Sequence, residues 1–170
     1  MEPEELRYAD GPSTEAEIVV EAATNIVWAL ISDINLPARF SPEFQGAHWV
    51  DGAAGPAEGA SFEGRNRHSA IGEWTTISTV VSCEPDRCFG WVIGDPAAPQ
   101  SQWRFTLEAI EAGTLLKQWM RMGPSRSGLS PAIDAMPDKE SKIIRRRLNE
   151  HHTNMTANLE GIKALAEAMS

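Results

Sequence analysis

From Glu15 to Ala22 polar and apolar residues alternate, with Ala16, Ile18 and Val20 on one face and Glu17 and Glu21 on the other, which predicts a first strand. The period then changes. Ile26, Val27, Leu30, Ile31 and Ile34 recur at helical spacing after Thr24 or Asn25 as N-cap, and Asp33, Asn35 and Pro37 supply stop signals. A second short helical piece is expected around Pro37–Phe40, ended by Ser41-Pro42. From Phe44 to Met122 the pattern is that of about six strands, punctuated by turn-rich segments at 52–60, 84–86 and 111–113. Gln102–Ala109 is the cleanest of them: Trp103, Phe105, Leu107 and Ala109 share one face, and Gln102, Arg104, Thr106 and Glu108 share the other. After a Gly/Ser/Pro-rich loop at 123–137, Asp138–Met169 reads as one helix. It carries an apolar stripe through Ile144, Leu148, Met155, Leu159, Ile162 and Met169.

This order predicts an α+β fold: a curved antiparallel sheet of about seven strands around a long C-terminal helix, with two short helices after the first strand. A sheet that buries one face under a terminal helix must curve to do so, and the curvature leaves room for a cavity. Residues 1–14 are expected to be an N-terminal extension and 15–170 a single domain. The segment SDINLPARFSPEFQGAHWV, 32–50, places Phe40, Phe44 and Trp49 between elements. It is read as a lid, resting on the long helix or lining the cavity mouth, with Pro37 and Pro42 fixing its turns.

Charge narrows the partners. Fifteen basic against 24 acidic residues give a formal net charge of -9, which disfavours nucleic acid and anionic lipid surfaces. The basic cluster Lys139, Lys142 and Arg145–Arg147 fits a solvated helix face. With acids at the N-terminus and no apolar run of about 18 residues, a cytoplasmic protein without membrane insertion is expected. Cys83 and Cys88 flank a turn and could be bridged, but a reducing compartment favours free thiols. Neither a metal nor another cofactor is expected, because two thiols make no zinc site and adjacent helical histidines such as His151 and His152 diverge too far to chelate together.

Val27-Trp28 with Ser32-Asp33, then Leu36, Phe40 and Pro42-Glu43, begin a longer pattern. It continues through Gly59, Phe62, Gly64 and Asn66; Trp74 and Val80; Glu84-Pro85, Arg87 and Phe89; Trp103; and Gly113-Thr114. Over about residues 15–168 this resembles the START-like polyketide cyclase/dehydrase and lipid-transport (SRPBCC) family, especially its bacterial members. The resemblance implies a helix-grip (START/Bet v 1-like) fold with a deep, mostly apolar pocket between sheet and helix. Family members include aromatase/cyclases, lipid and hormone carriers and a co-chaperone activator of a heat-shock ATPase, so the fold does not select a function.

No covalent or metal motif is present: GAAGPAEG lacks a P-loop lysine, and HExxH and GxSxG are absent. Strand alternation nominates inward polar groups instead. If Phe62 points inward, so do Gly64, Asn66 and His68; Trp74, Thr76 and Ser78 follow on the next strand, and Leu116, Gln118, Met120 and Met122 on the last. The expected ligand-binding set is Phe40, Trp49, Asn66, His68, Trp74, Thr76, Trp91, Trp103, Gln118, Met120, His152 and Met155; no catalytic residue is assigned. For His68 a structural role at a sheet end competes with ligand donation and acid/base work, and for the tryptophans core packing competes with ligand contact.

Three functions stay open. The leading one is binding of a hydrophobic or aromatic small molecule, lipid or polyketide-like. Another is an aromatase/cyclase-type enzyme using Asn66, His68, Thr76 and Gln118, and the last is a co-chaperone-like interaction module. Homodimerisation is also left open.

Overall fold

The computed structural model describes residues 3–170; residues 1 and 2 of the expected N-terminal extension lie outside it. Seven strands form one antiparallel sheet: β1 (Ser13–Val20), β2 (Phe44–Val50), β3 (Ser61–His68), β4 (Gly72–Glu84), β5 (Cys88–Ile93), β6 (Ser101–Ile110) and β7 (Gly113–Met122). Their order is β1-β7-β6-β5-β4-β3-β2, so β1 and β2 occupy opposite edges although they are consecutive in sequence. The connection between them carries α1 (Thr24–Ile31) and a 3-10 turn at Leu36–Arg39. The last segment contains a short helix, α2 (Ser130–Ala135), a 3-10 turn at Pro137–Lys139, and α3 (Glu140–Met169).

Each period change along the chain becomes an element. Exposure alternates along β1 until Val20, which is fully buried at the sheet edge. In α1 the apolar spacing buries Val27 and Ile31 against the sheet. The expected cap differs: Ala23 precedes the first turn in extended conformation and no side chain caps it. At the other end the Trp28 carbonyl accepts twice from Ser32, from its backbone N–H at 3.0 Å and from its Oγ at 2.7 Å, which closes the last turn.

Curvature has local causes. The pairing shifts between Phe44 and Gly46 in β2 and between Val80 and Ser82 in β4, and such bulges bend and twist a strand. Asn35 Oδ1 accepts from the Ala47 amide at 2.8 Å, tying the α1–β2 connection to the first bulge. Gly46 sits there at φ +129, a conformation open to glycine and strained for other residues.

The hairpin register also settles the two cysteines. Cys83 lies opposite Phe89 and Cys88 opposite Glu84, so the thiols face opposite sides of the sheet, and both are free. The segment expected to be loop from 123 to 137 contains α2, where Pro131 occupies the first turn and Leu129 and Ile133 pack against a second apolar cluster. Six residues are too few to leave a helical period in the sequence. The extension is docked rather than trailing: Leu6 N donates to Ser141 Oγ at 2.9 Å, and Tyr8 Oη donates to the Ser125 carbonyl at 2.6 Å. Among the described residues, no helix is long and apolar enough to cross a membrane.

The core divides along α3. Val20, Val27, Ile31, Phe89, Leu116, Leu159, Ile162 and Ala166 belong to one cluster; Met120, Met122, Ile144, Leu148 and Met155 form another. Between sheet and helix lies a cavity.

Candidate ligand cavity

The cavity has a volume of about 540 Å³. Its sheet wall comes from alternate residues of consecutive strands: Phe62, Gly64 and Asn66 on β3; Trp74, Thr76 and Ser78 on β4; Phe89, Trp91 and Ile93 on β5; Trp103 and Phe105 on β6; and Gln118, Met120 and Met122 on β7. The strand period of two places all of them on one side.

The aromatic groups form a connected surface. Trp91 and Trp103 stack with ring centroids 6.3 Å apart and planes 6° from parallel, and Phe62, Phe89 and Phe105 surround Trp91 at 6.3, 5.6 and 5.9 Å. Trp103 Nε1 donates to Ser101 Oγ at 3.0 Å, which satisfies its one polar atom. Ile71 on the β3–β4 turn, Gln100 and Leu129 also line the cavity, as do Ile34, Pro37 and Phe44 of the α1–β2 connection.

From α3 come Arg147, His151, Asn154, Met155 and Asn158. The four polar members have spacings of four, three and four, so they form a second stripe alongside the apolar one. From Arg147 to Asn158 the stripe runs about 16 Å along the helix at 1.5 Å per residue.

His151 makes an edge-on contact with Trp103, ring centroids 5.1 Å apart. Burial, with the positive charge of Arg147 adding to it, pushes its pKa down to about 3, so the imidazole is neutral at pH 7.

One end of the cavity is closed by ions. Arg147 Nη1 and Nη2 donate to Glu43 Oε1 and Oε2, each at 2.8 Å, a bidentate pair whose side chains are both only 13% exposed. Arg147 Nη1 also donates to Glu150 Oε2 at 2.8 Å, and His68 Nε2 lies 2.8 Å from the same oxygen. This latch joins the segment before β2, the end of β3, and α3. Burial pushes the Glu150 carboxyl up, but hydrogen bonds from His68 and Arg147 outweigh it and hold the pKa below the usual carboxylate range. Glu43, His68 and Glu150 also bring three potential metal-ligating atoms within 4.8 Å of one another. The cation between the two carboxylates is the guanidinium, whose fork geometry matches them.

The expected site residues separate into three groups. Asn66, Trp74, Thr76, Trp91, Trp103, Gln118, Met120 and Met155 line the cavity together. His68 lies outside it, on the latch, facing a shallow surface groove with Arg67, Lys142, Arg145 and Arg146. Phe40 and Trp49 lie beside the cavity, packed on the main core: the Phe40 ring covers Gly161, where a Cβ would overlap it, and Trp49 packs edge-on to its cross-strand neighbour Phe62 at 5.6 Å. Within the expected lid only Phe44 of the three aromatic residues reaches the cavity.

His152 needs correction. It is exposed, and its neighbour His151 lines the cavity. Both follow Leu148 and precede Met155 at allowed spacings, but about 100° per residue puts them on opposite flanks of the apolar stripe. The missed residues Arg147, His151, Asn154 and Asn158 shared one legible signal, their common helical phase. Glu43 carried none, since its partner lies 104 positions away.

An antiparallel sheet wrapped around a terminal helix, with an aromatic-walled cavity between them, defines a helix-grip protein. The chain belongs to the polyketide cyclase/dehydrase and lipid transport family, whose model matches residues 12–167. Among solved structures, a Polyketide_cyc-like protein, Cgl2372 from Corynebacterium glutamicum, is 31% identical; the match covers 94% of this chain and 91% of that one, with a TM-score of 0.60. The fold is also that of Zhui, an aromatase/cyclase from Streptomyces sp. R1128, at 15% identity, 92% and 94% coverage and a TM-score of 0.64. The di-domain aromatase/cyclase StfQ of the steffimycin biosynthetic pathway matches at 16% identity and a TM-score of 0.70, over 92% of this chain and 51% of that one; this chain spans about half its length. No functionally curated protein matches the sequence.

Proposed function

We propose that this protein binds an apolar, aromatic-bearing small molecule, lipid or polyketide-like, in the cavity between its sheet and α3. The observation that carries the reading is the cavity of about 540 Å³ with a continuous aromatic wall on the sheet side, opposite the polar stripe of α3. Its volume and lining fit small-molecule sites, which span about 300–1,000 Å³. Membership of a family described by both cyclisation and lipid transport agrees with it. Calorimetric titration with a panel of fatty acids, sterols and polycyclic aromatics tests it, using Thr76→Trp to fill the cavity. Saturable binding by the wild type and its loss in a folded Thr76→Trp variant is the expected result. Equal binding by both proteins would contradict it.

A cyclase-type activity is the second reading, favoured by the neutral His151 beside Trp103. Confinement of a flexible chain would supply much of the rate. Two features place binding first: an imidazole with a pKa of about 3 is a weak base at pH 7, and His68 is committed to Glu150 outside the cavity. A changed product distribution on adding the protein to a minimal polyketide synthase would move the cyclase reading to first place.

A further inference from the structure

Where the cavity meets the closed core, a polar contact crosses from helix to sheet. Asn158 Nδ2 donates to Gln118 Oε1 at 3.1 Å, and the two residues are 3% and 6% exposed. Both line the cavity, and their neighbours there include Phe105, Met120 and Met155. The bond uses one donor and one acceptor of two amides, each of which carries two N–H groups and a carbonyl.

Asn158 Oδ1 is shielded from water and has no hydrogen-bond partner; among the described residues it is the one buried side-chain polar atom in that condition. An orphaned amide oxygen in such a place is costly, and native interiors pair nearly all of them. Gln118 keeps its Nε2 protons free of the Asn158 contact. A carbonyl acceptor on Asn158 and an amide donor on Gln118, two residues already bonded to each other, are therefore left over at the cavity wall.

We infer that Asn158 and Gln118 form a recognition site for a neutral hydroxyl, alcohol or phenol, on the ligand's leading end. This deepens the binding reading and rests on it. A hydroxyl satisfies both leftover groups at once, accepting from Gln118 Nε2 and donating to Asn158 Oδ1, which is shielded as the pair stands and is reached by rotation about the soft χ2 torsion of Asn158. A ketone accepts only and leaves Oδ1 orphaned. A carboxylate meets the amide oxygen with like polarity, and the one guanidinium on the wall, Arg147, is about 16 Å away along α3 and already held by Glu43 and Glu150. The ligand then enters hydroxyl first, with its apolar body against Trp91 and Trp103.

Calorimetric titration of the full chain with 2-naphthol, 2-methylnaphthalene and 2-naphthoate tests this, in the wild type and in the double variant Asn158→Leu/Gln118→Leu. Replacing both amides with apolar groups of similar size removes the polar pair without creating a new orphan. The wild type is expected to prefer 2-naphthol, and the double variant to reverse the order, with a change in the affinity ratio of about tenfold or more. Gln118→Met alone, expected to shift the ratio in the same direction, serves if the double variant does not fold. An unchanged ratio in the variants, or 2-naphthoate as the tightest ligand, overturns the hydroxyl site while leaving cavity binding intact. Failure of all three compounds to bind the wild type overturns both.

Discussion

The two halves of α3 are built from one continuous helix and do opposite things. Beyond Asn158, Leu159, Ile162 and Ala166 meet Val20, Val27, Ile31 and Leu116 in a closed core, and Gly161 lets the Phe40 ring rest directly on the helix backbone. Before Asn158, the helix turns Arg147, His151, Asn154 and Met155 toward open space. The difference lies in what the facing elements supply. The closed half is met by β1 and α1, and by the Phe40 ring that follows the 3-10 turn. The open half faces the concave side of β3–β7, whose curvature holds the sheet away. Closure fixes the helix so that the open half can keep its polar stripe at the cavity wall.

The largest expected effect comes from removing closure. Leu159→Ala or Ile162→Ala should cost about 3 kcal/mol, because each leaves a void in a packed site; urea denaturation measures it. Met155→Ala, in the open half, should cost nearer 1 kcal/mol, since one side of Met155 already borders the cavity. Similar losses at Leu159 and Met155 would break the comparison.

Gly161→Ala sharpens it from the other direction. Alanine should favour the helix by up to about 1 kcal/mol, yet the added Cβ overlaps the Phe40 ring, and overpacking of about 1–3 kcal/mol should win. Phe40→Leu in the same chain should recover most of the loss. Because Phe40 lies outside the cavity lining, Phe40→Ala should lower stability and leave ligand affinity nearly unchanged.

A pH profile separates the halves by charge. His151 titrates near 3 in the folded protein against 6.5 for an ordinary histidine, so between those values the unfolded chain binds more protons and stability rises with pH. The wild type should therefore lose about 1 kcal/mol per pH unit on acidification from pH 6 to 5. His151→Leu should flatten that window and leave the loss below about pH 4.5, where carboxylates held low, such as Glu150, take up protons. An unaltered slope would show that His151 is not enclosed at the cavity wall.

These contrasts explain what could be read in the sequence. Strand period assigned Asn66, Thr76 and Gln118 to one face, because a period of two leaves no ambiguity once Phe62 points inward. The helix was harder. Its apolar stripe located the core, but the cavity lies on the stripe's flank, where polar residues look like solvent-facing ones; hence His152 was expected and His151 found. Contacts such as Glu43–Arg147 depend on chain closure over more than 100 residues, and no local pattern encodes them. For Phe40 the sequence is compatible with a place on the long helix and with one at the cavity mouth; its ring rests on the helix at Gly161.

Methionine methyl NMR tests the central claim most directly. The chain has six methionines: Met120, Met122 and Met155 line the cavity, while Met136 and Met169 are exposed outside it. Titration of methyl-labelled protein with 2-naphthol should shift the Met120, Met122 and Met155 signals in a saturable way and leave Met136 and Met169 unmoved. Shifts at Met136 or Met169 with the three cavity methyls silent would contradict an apolar ligand site between the sheet and the open half of α3.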